Sequence, residues 1–245
     1  MTVDPADVTQ GHLLGGRVRF AQPRSGFRSG IEPVLLAAAI PAREGCRVLE
    51  GGSGAGAALL CLAARVAGVR GLGIEQDPGL VALARQNAAA NDWPDLEFVA
   101  ADVTAPAAPS GFDHACANPP YHAGGGTPSP DAARRVAKRA AGGMLEAWVA
   151  SLARPLRPRG TLTFVLPTAR APEAMAAFAA AGCAATALLP LWPRAGEPAK
   201  LMLLRGIKGS RAGLRLLPGL VLHHADGSFT DAADAVLRGG DSLAL

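Results

Sequence analysis

Cys46-Arg47-Val48-Leu49-Glu50-Gly51-Gly52-Ser53-Gly54-Ala55-Gly56 reads as a short apolar strand that runs into a glycine turn. The alanine- and leucine-rich stretch Ala57 to Ala67 behind it reads as a helix. A glycine pattern becomes informative when it leaves a strand and opens a helix, because glycines take dihedrals closed to other residues and admit close approach of a ligand. The same alternation continues outward. Gly71 to Glu75 reads as a second strand and Pro78 to Asn91 as a helix with proline suitably placed at its start. Leu96 to Ala101 and Asp113 to Ala117 are further strands, separated from a helix at Met144 to Leu156 by the glycine- and proline-rich His122 to Pro130, read as a flexible loop. Thr161 to Leu166, a helix over Pro172 to Ala181, and the pair Ala184 to Leu191 and Lys200 to Arg205 close the pattern, the last two as antiparallel strands. Such alternation predicts a largely parallel sheet with helices on both faces. Ile31 to Ile40 adds a helix before the first strand.

The chain has 245 residues, 49% hydrophobic and 18% charged, which fits one α/β domain with short additions and argues against disorder. Aromatics make up only 4%, so alanine, leucine and valine must fill the core. The net charge of +4 slightly favours a polyanionic partner. Cys46, Cys61, Cys116 and Cys183 are scattered, with no metal-like spacing, and read as reduced core thiols suited to a cytoplasm. Asp4 and Asp7 replace the basic start of a signal peptide, and Val34 to Ile40 is too short to span a bilayer, so neither export nor a membrane is expected.

The spacing Gly52-x-Gly54-x-Gly56 differs from the dinucleotide fingerprint, which places two residues before its third glycine. A turn of this form can accommodate the amino-acid end of S-adenosylmethionine, with Glu50 near the ligand's ammonium. Glu75 ends the second strand, where a carboxylate can accept from both ribose hydroxyls, and Asp102 after the third can accept from the adenine amino group. Asn118-Pro119-Pro120-Tyr121 follows the fourth strand. The Asn118 amide oxygen and the Pro119 carbonyl are acceptors that can hold an exocyclic NH2 while its nitrogen attacks an electrophile. Pro120 restricts Pro119 to extended conformations, and Tyr121 supplies a ring for stacking. Each feature has a plain structural alternative: a glycine turn, solvated loop acids, or a rigid Pro-Pro turn.

With these residues in view, the chain resembles class I, S-adenosylmethionine-dependent methyltransferases, and within them the bacterial tRNA adenine-N6-methyltransferases that modify a valine tRNA. The resemblance rests on Gln22 to Glu32 with Val34-Leu35-Leu36-Ala37, on the glycine turn and its acids, on Asn118 to Tyr121, and on the ending Leu220 to Thr230. It implies a Rossmann-like, mostly parallel seven-stranded sheet with an antiparallel final strand, organised as an N-terminal segment (1–41), a core (42–210) and an extension packed on the same domain (211–245). It further implies cofactor-binding residues Gln22, Glu50, Gly52, Gly54, Gly56, Glu75, Asp102 and Asn118, and catalytic residues Asn118, Pro119 and Tyr121. Glu50 and Glu32 stand where the family usually has aspartate, which keeps the charge on a longer arm.

An RNA substrate also needs phosphate contacts. Arg134, Arg135, Lys138 and Arg139 cluster beside the acceptor motif, and Arg17, Arg19, Arg24 and Arg28 form a second basic group; solvated surfaces are the alternative for both. His122 reads as an ordinary loop residue, Cys116 as a core thiol, and His223-His224 as structural, with no metal expected. Two rival functions remain: protein-glutamine methylation, using the same acceptors on a side-chain amide, and a noncatalytic cofactor- or RNA-binding module. About forty residues precede the first strand, fewer than the helical substrate domain of glutamine methyltransferases, which favours RNA.

Overall fold

The structure is a computed structural model that describes residues 8–24, 29–105, 109–120 and 132–245, with only the helical course of 132–142. The chain opens with an antiparallel hairpin, β1 (Val8–Leu13) and β2 (Val18–Pro23), followed by helix α1 (Glu32–Ala39). Then come β3 (Arg47–Gly51), α2 (Ala57–Ala63), β4 (Arg70–Glu75), α3 (Pro78–Ala90), β5 (Leu96–Ala100) and β6 (Phe112–Ala117). Helix α4 (Ala132–Ala153), β7 (Leu156–Pro167), α5 (Ala171–Ala180), β8 (Cys183–Arg194) and β9 (Leu201–Lys208) complete the expected alternation. Two short strands, β10 (Arg215–Leu216) and β11 (Leu220–His223), and the turn-length helix α6 (Asp231–Asp234) follow.

The strand order is β10-β8-β9-β7-β6-β3-β4-β5, with β11 also on β8. β9 alone runs against its neighbours, because β7 and β8 both pair with it antiparallel while the remaining ladders are parallel. The sheet therefore contains the expected seven strands, β5-β4-β3-β6-β7-β9-β8, and is enlarged at the β8 edge by β10 and β11. From β3 the chain winds outward through β4 to β5 and then crosses back to β6 on the other side. The direction of winding, not of the strands, reverses between β3 and β6, and it is outside the carboxyl ends at such a switch point that open α/β sheets bind ligands.

Two apolar layers hold the sheet. One joins α1, α2 and α3 with the hairpin and the C-terminal Leu220, Leu222, Val236 and Leu237; the other joins α4 and α5. Small alanines let the helices lie close, and in the core Phe164 meets Phe178 edge-on, with centroids 5.4 Å apart. Local chemistry fixes the ends. Asp77 accepts from Gly79 and Leu80 N–H at 2.7 and 3.2 Å, capping α3 ahead of Pro78. The Lys208 ammonium donates to the carbonyls of Ala153, Arg154 and Leu156 at 3.0, 2.8 and 2.7 Å, satisfying the end of α4.

Asn87 does more than its position within α3 suggests. Its Oδ1 accepts from Ala21 N–H at 2.8 Å, and its Nδ2 donates to Ala21 O at 2.8 Å and Ala55 O at 3.0 Å. One buried amide thus joins the hairpin to the glycine turn. One turn later Asn91 repeats the grip on Arg19, accepting from its N–H at 2.9 Å and donating to its carbonyl at 2.8 Å. Asn87→Ala leaves three buried backbone groups without this partner, so a loss of about 2–4 kcal/mol in unfolding free energy is expected. Urea titration followed by circular dichroism measures it.

Several segments differ from the expectation. The hairpin, β10 and β11 were not foreseen, and α4 begins at Ala132 instead of Met144. Its first half is rich in alanine, arginine and glycine and lacks an apolar period. The segment His122 to Pro130 lies outside the described residues. Among the described residues, no helix is long and apolar enough to cross a membrane.

Candidate active site

Gly52, Gly54 and Gly56 all take left-handed backbone conformations, with φ of 66°, 54° and 90°. A Cβ at Gly52 would meet the Trp148 ring at 2.6 Å, and one at Gly56 would meet Phe98 at 2.9 Å. These two are glycines because the turn is wedged between α4 and β5. At Gly54 a Cβ would meet nothing within 4 Å, so this glycine presents its backbone to open space. The turn is tied to the end of β4: Gly52 and Ser53 N–H donate to Ile74 O at 2.8 and 3.1 Å, and Gly54 N–H donates to Glu75 Oε2 at 3.0 Å.

Glu75 is 9% exposed, and its other oxygen accepts from Asp77 N–H at 3.0 Å. Each carboxylate oxygen keeps acceptor capacity beyond that single bond. Asp102, exposed just past β5, accepts at Oδ1 from the Thr104 N–H and hydroxyl, both at 2.8 Å; these two bonds hold its carboxyl below the usual range. Glu50 differs: it is buried at the end of β3, Oε2 has no hydrogen-bond partner among the described residues, and burial pushes its carboxyl up to about 8.

The acceptor motif leaves β6 beside this turn. Ala117 pairs with Gly51 on one side and Phe164 on the other, so Asn118 emerges next to the glycine turn and the end of β7. Asn118 is half-buried, Pro119 buried and Pro120 exposed. The site therefore brings together Glu50, the three glycines, Glu75, Asp102, Asn118 and Pro119 along the carboxyl ends of four adjacent strands. Gln22 lies in β2, where its Oε1 accepts from Ser29 N–H at 3.0 Å and ties down the approach to α1. Tyr121 and Arg28 lie outside the described residues, as do the side chains of Arg134, Arg135, Lys138 and Arg139, whose backbone belongs to α4.

Three arginines of the second basic group turn back onto the protein. Arg17 donates to Gly239 O, Arg19 to Ala90 O at 3.1 Å and Arg24 to Val8 O at 3.4 Å. The thiols of Cys61 and Cys116 are buried and pushed up, Cys61 to about 12, so neither is a nucleophile. No group of three or more metal-ligating side chains occurs among the described residues. The sequence reading missed Asn87 and Trp148, which shape the turn from behind. Asn87 carried one signal, an amide in the same helical stripe as Leu83, Ala84 and Ala88.

A sheet of this order, with a glycine turn after β3, acids at the ends of β4 and β5, and Asn-Pro-Pro after β6, defines a class I methyltransferase. The pattern of the methyltransferase small domain family matches residues 31–171. The chain belongs to that family. It is 32% identical over 85% of its length to a tRNA1(Val) (adenine(37)-N6)-methyltransferase from Aeromonas hydrophila, covering 87% of that protein. A release factor glutamine methyltransferase from Rhodospirillum rubrum is 39% identical, over 36% of this chain and 27% of that protein. Among solved structures, a protein from Agrobacterium tumefaciens described as a predicted O-methyltransferase superposes with a TM-score of 0.72 at 26% identity, covering 87% of this chain and 99% of that one.

Proposed function

We propose that this protein transfers the methyl group of S-adenosylmethionine to N6 of an adenine in a tRNA, with a valine tRNA as the substrate and the cytoplasm as the compartment. The observation that carries the chemistry is Asn118-Pro119 emerging from β6 directly beside the glycine turn. The near full-length similarity to the Aeromonas enzyme supports adenine in tRNA as the acceptor. The similarity to the glutamine methyltransferase covers 36% of the chain and 27% of that protein, and so weighs less than the near full-length one.

The residues present fit S-adenosylmethionine. Gly54 offers an open backbone face, Glu75 an acceptor pair for the ribose, and Asp102 an acceptor for the adenine amino group, while the unpartnered Oε2 of Glu50 suits an ammonium. When bound, the cofactor supplies an electrophilic methyl on a sulfonium. Asn118 Oδ1 and the Pro119 carbonyl accept the two N–H bonds of the target amine. Adenine N6 is a weak nucleophile because its lone pair is delocalised into the ring; these two acceptors orient that lone pair and stabilise the positive charge that develops on nitrogen. Tyr121 stacks on a base splayed from a loop, and Arg134, Arg135, Lys138 and Arg139 contact the flanking phosphates.

Incubating the protein with methyl-labelled S-adenosylmethionine and either total RNA or total protein tests the reading. Label recovered as N6-methyladenine in tRNA is the expected result. Label in glutamine, or cofactor binding without transfer to RNA, overturns it.

A further inference from the structure

Glu50 is 3% exposed, and its Oε2 lacks a hydrogen-bond partner among the described residues. Cys116 stands directly opposite it on β6, and the residue opposite on β4 is Gly73. The titratable groups that act on it or feel it are Glu75 at the end of β4, Cys61 on α2 and Cys116 on β6. A second carboxylate and two protonated thiols cannot neutralise an anion. The backbone N–H of Leu59 at the start of α2 favours the ionised form, but burial outweighs it and carries the carboxyl up to about 8. The arrangement is therefore that of an acid waiting for a cation.

We propose that Glu50 is a neutral carboxylic acid in the free protein and gives its proton to solvent when the cofactor's α-ammonium is placed against it, which makes that ammonium a requirement for tight capture. This rests on the cofactor reading above and extends it to the protonation state of the site. The step balances simply. The Glu50 O–H bond breaks, its electron pair stays on the carboxylate, the proton passes to water, and the ammonium keeps its three hydrogens. A buried cation beside a neutral acid would be left unpaired, whereas the ion pair offsets the desolvation of both.

The sign of the pH dependence follows. The free protein binds one proton more than the complex wherever the pH lies below the free carboxyl's value and above the bound one. Affinity then falls about tenfold between pH 7 and pH 6, and it falls again at alkaline pH where the ligand's ammonium loses its proton. The same raised value makes ionisation of Glu50 unfavourable to the free fold, so its cost appears as pH rises from the ordinary carboxylate range through about 8.

The test is calorimetric titration at pH 7 in two buffers of different ionisation enthalpy, with S-adenosylhomocysteine and with 5′-methylthioadenosine. Both carry adenosine and a thioether sulfur; the second lacks the amino-acid end. Release of close to one proton with the first ligand and none with the second is expected. Glu50→Gln abolishes the release and flattens the pH profile. Equal release with both ligands, or binding of S-adenosylhomocysteine to the unmodified protein without release, overturns the proposal. Binding of neither ligand overturns the cofactor reading and this proposal with it. The comparison of ligands on the unmodified chain does not depend on the variant folding.

Discussion

Replacing Asn118 by alanine is expected to slow methyl transfer at least about a hundredfold, the scale for removing one preorganised polar contact at a reacting centre. The reason is positional. Asn118 follows Ala117, the last β6 residue paired with Gly51, so it stands beside the glycine turn without forming part of it. The variant keeps Gly52, Gly54, Gly56 and Glu75, and S-adenosylmethionine affinity should change little. Single-turnover assays at saturating cofactor isolate the chemical step, and near-normal turnover would remove Asn118 from the amine-acceptor role. Tyr121→Phe is expected to keep most activity and Tyr121→Ala to lose base capture, because stacking needs the ring and not its hydroxyl.

Glu75→Ala carries the second large effect, on binding instead of chemistry. A lost contact to a charged acceptor costs roughly 1.5–3 kcal/mol, or about ten- to 150-fold in affinity. Here the carboxylate also receives Gly54 N–H and Asp77 N–H at 3.0 Å each, so its removal loosens the glycine turn in addition to removing the proposed ribose acceptor. The larger end of that range is therefore expected. Calorimetric titration with S-adenosylhomocysteine reads the change, and thermal unfolding of the free variant separates lost contact from a loosened turn. Unaltered affinity would take Glu75 out of the site.

The placement of the residues expected to hold the cofactor was legible because its signals are local. Strands β3 to β6 are short apolar runs, and a glycine, an acid or an Asn-Pro stands at or just after the end of each. Glu50, Glu75, Asp102 and Asn118 could therefore be assigned to the carboxyl ends of neighbouring strands from order alone. The hairpin was not legible, since Thr9-Gln10-Gly11-His12 breaks the apolar alternation that marks a strand. Nor were β10 and β11, whose two and four residues join the sheet through β8, nearly thirty positions upstream in the chain. Asn87 shows the deeper limit. Its role depends on Ala21 and Ala55 arriving at the same place, and no period in the sequence around it reports that meeting.

The hairpin's attachments bear on the order in which the chain can assemble as it is synthesised. Ala21 is separated from Asn87 by 66 positions, and Arg17 reaches the carbonyl of Gly239 across 222. Synthesis delivers the amino end first, at about 5–20 residues per second. The hairpin thus leaves the ribosome well before α3 exists, and the contact of Arg17 must wait until Gly239 has been made. A core strand such as β3 finds its parallel neighbour β4 within about 25 positions. This early segment is accordingly among the last parts of the described fold to be secured, and the bond from Ser29 N–H to Gln22, which it carries, ties it to the approach to α1.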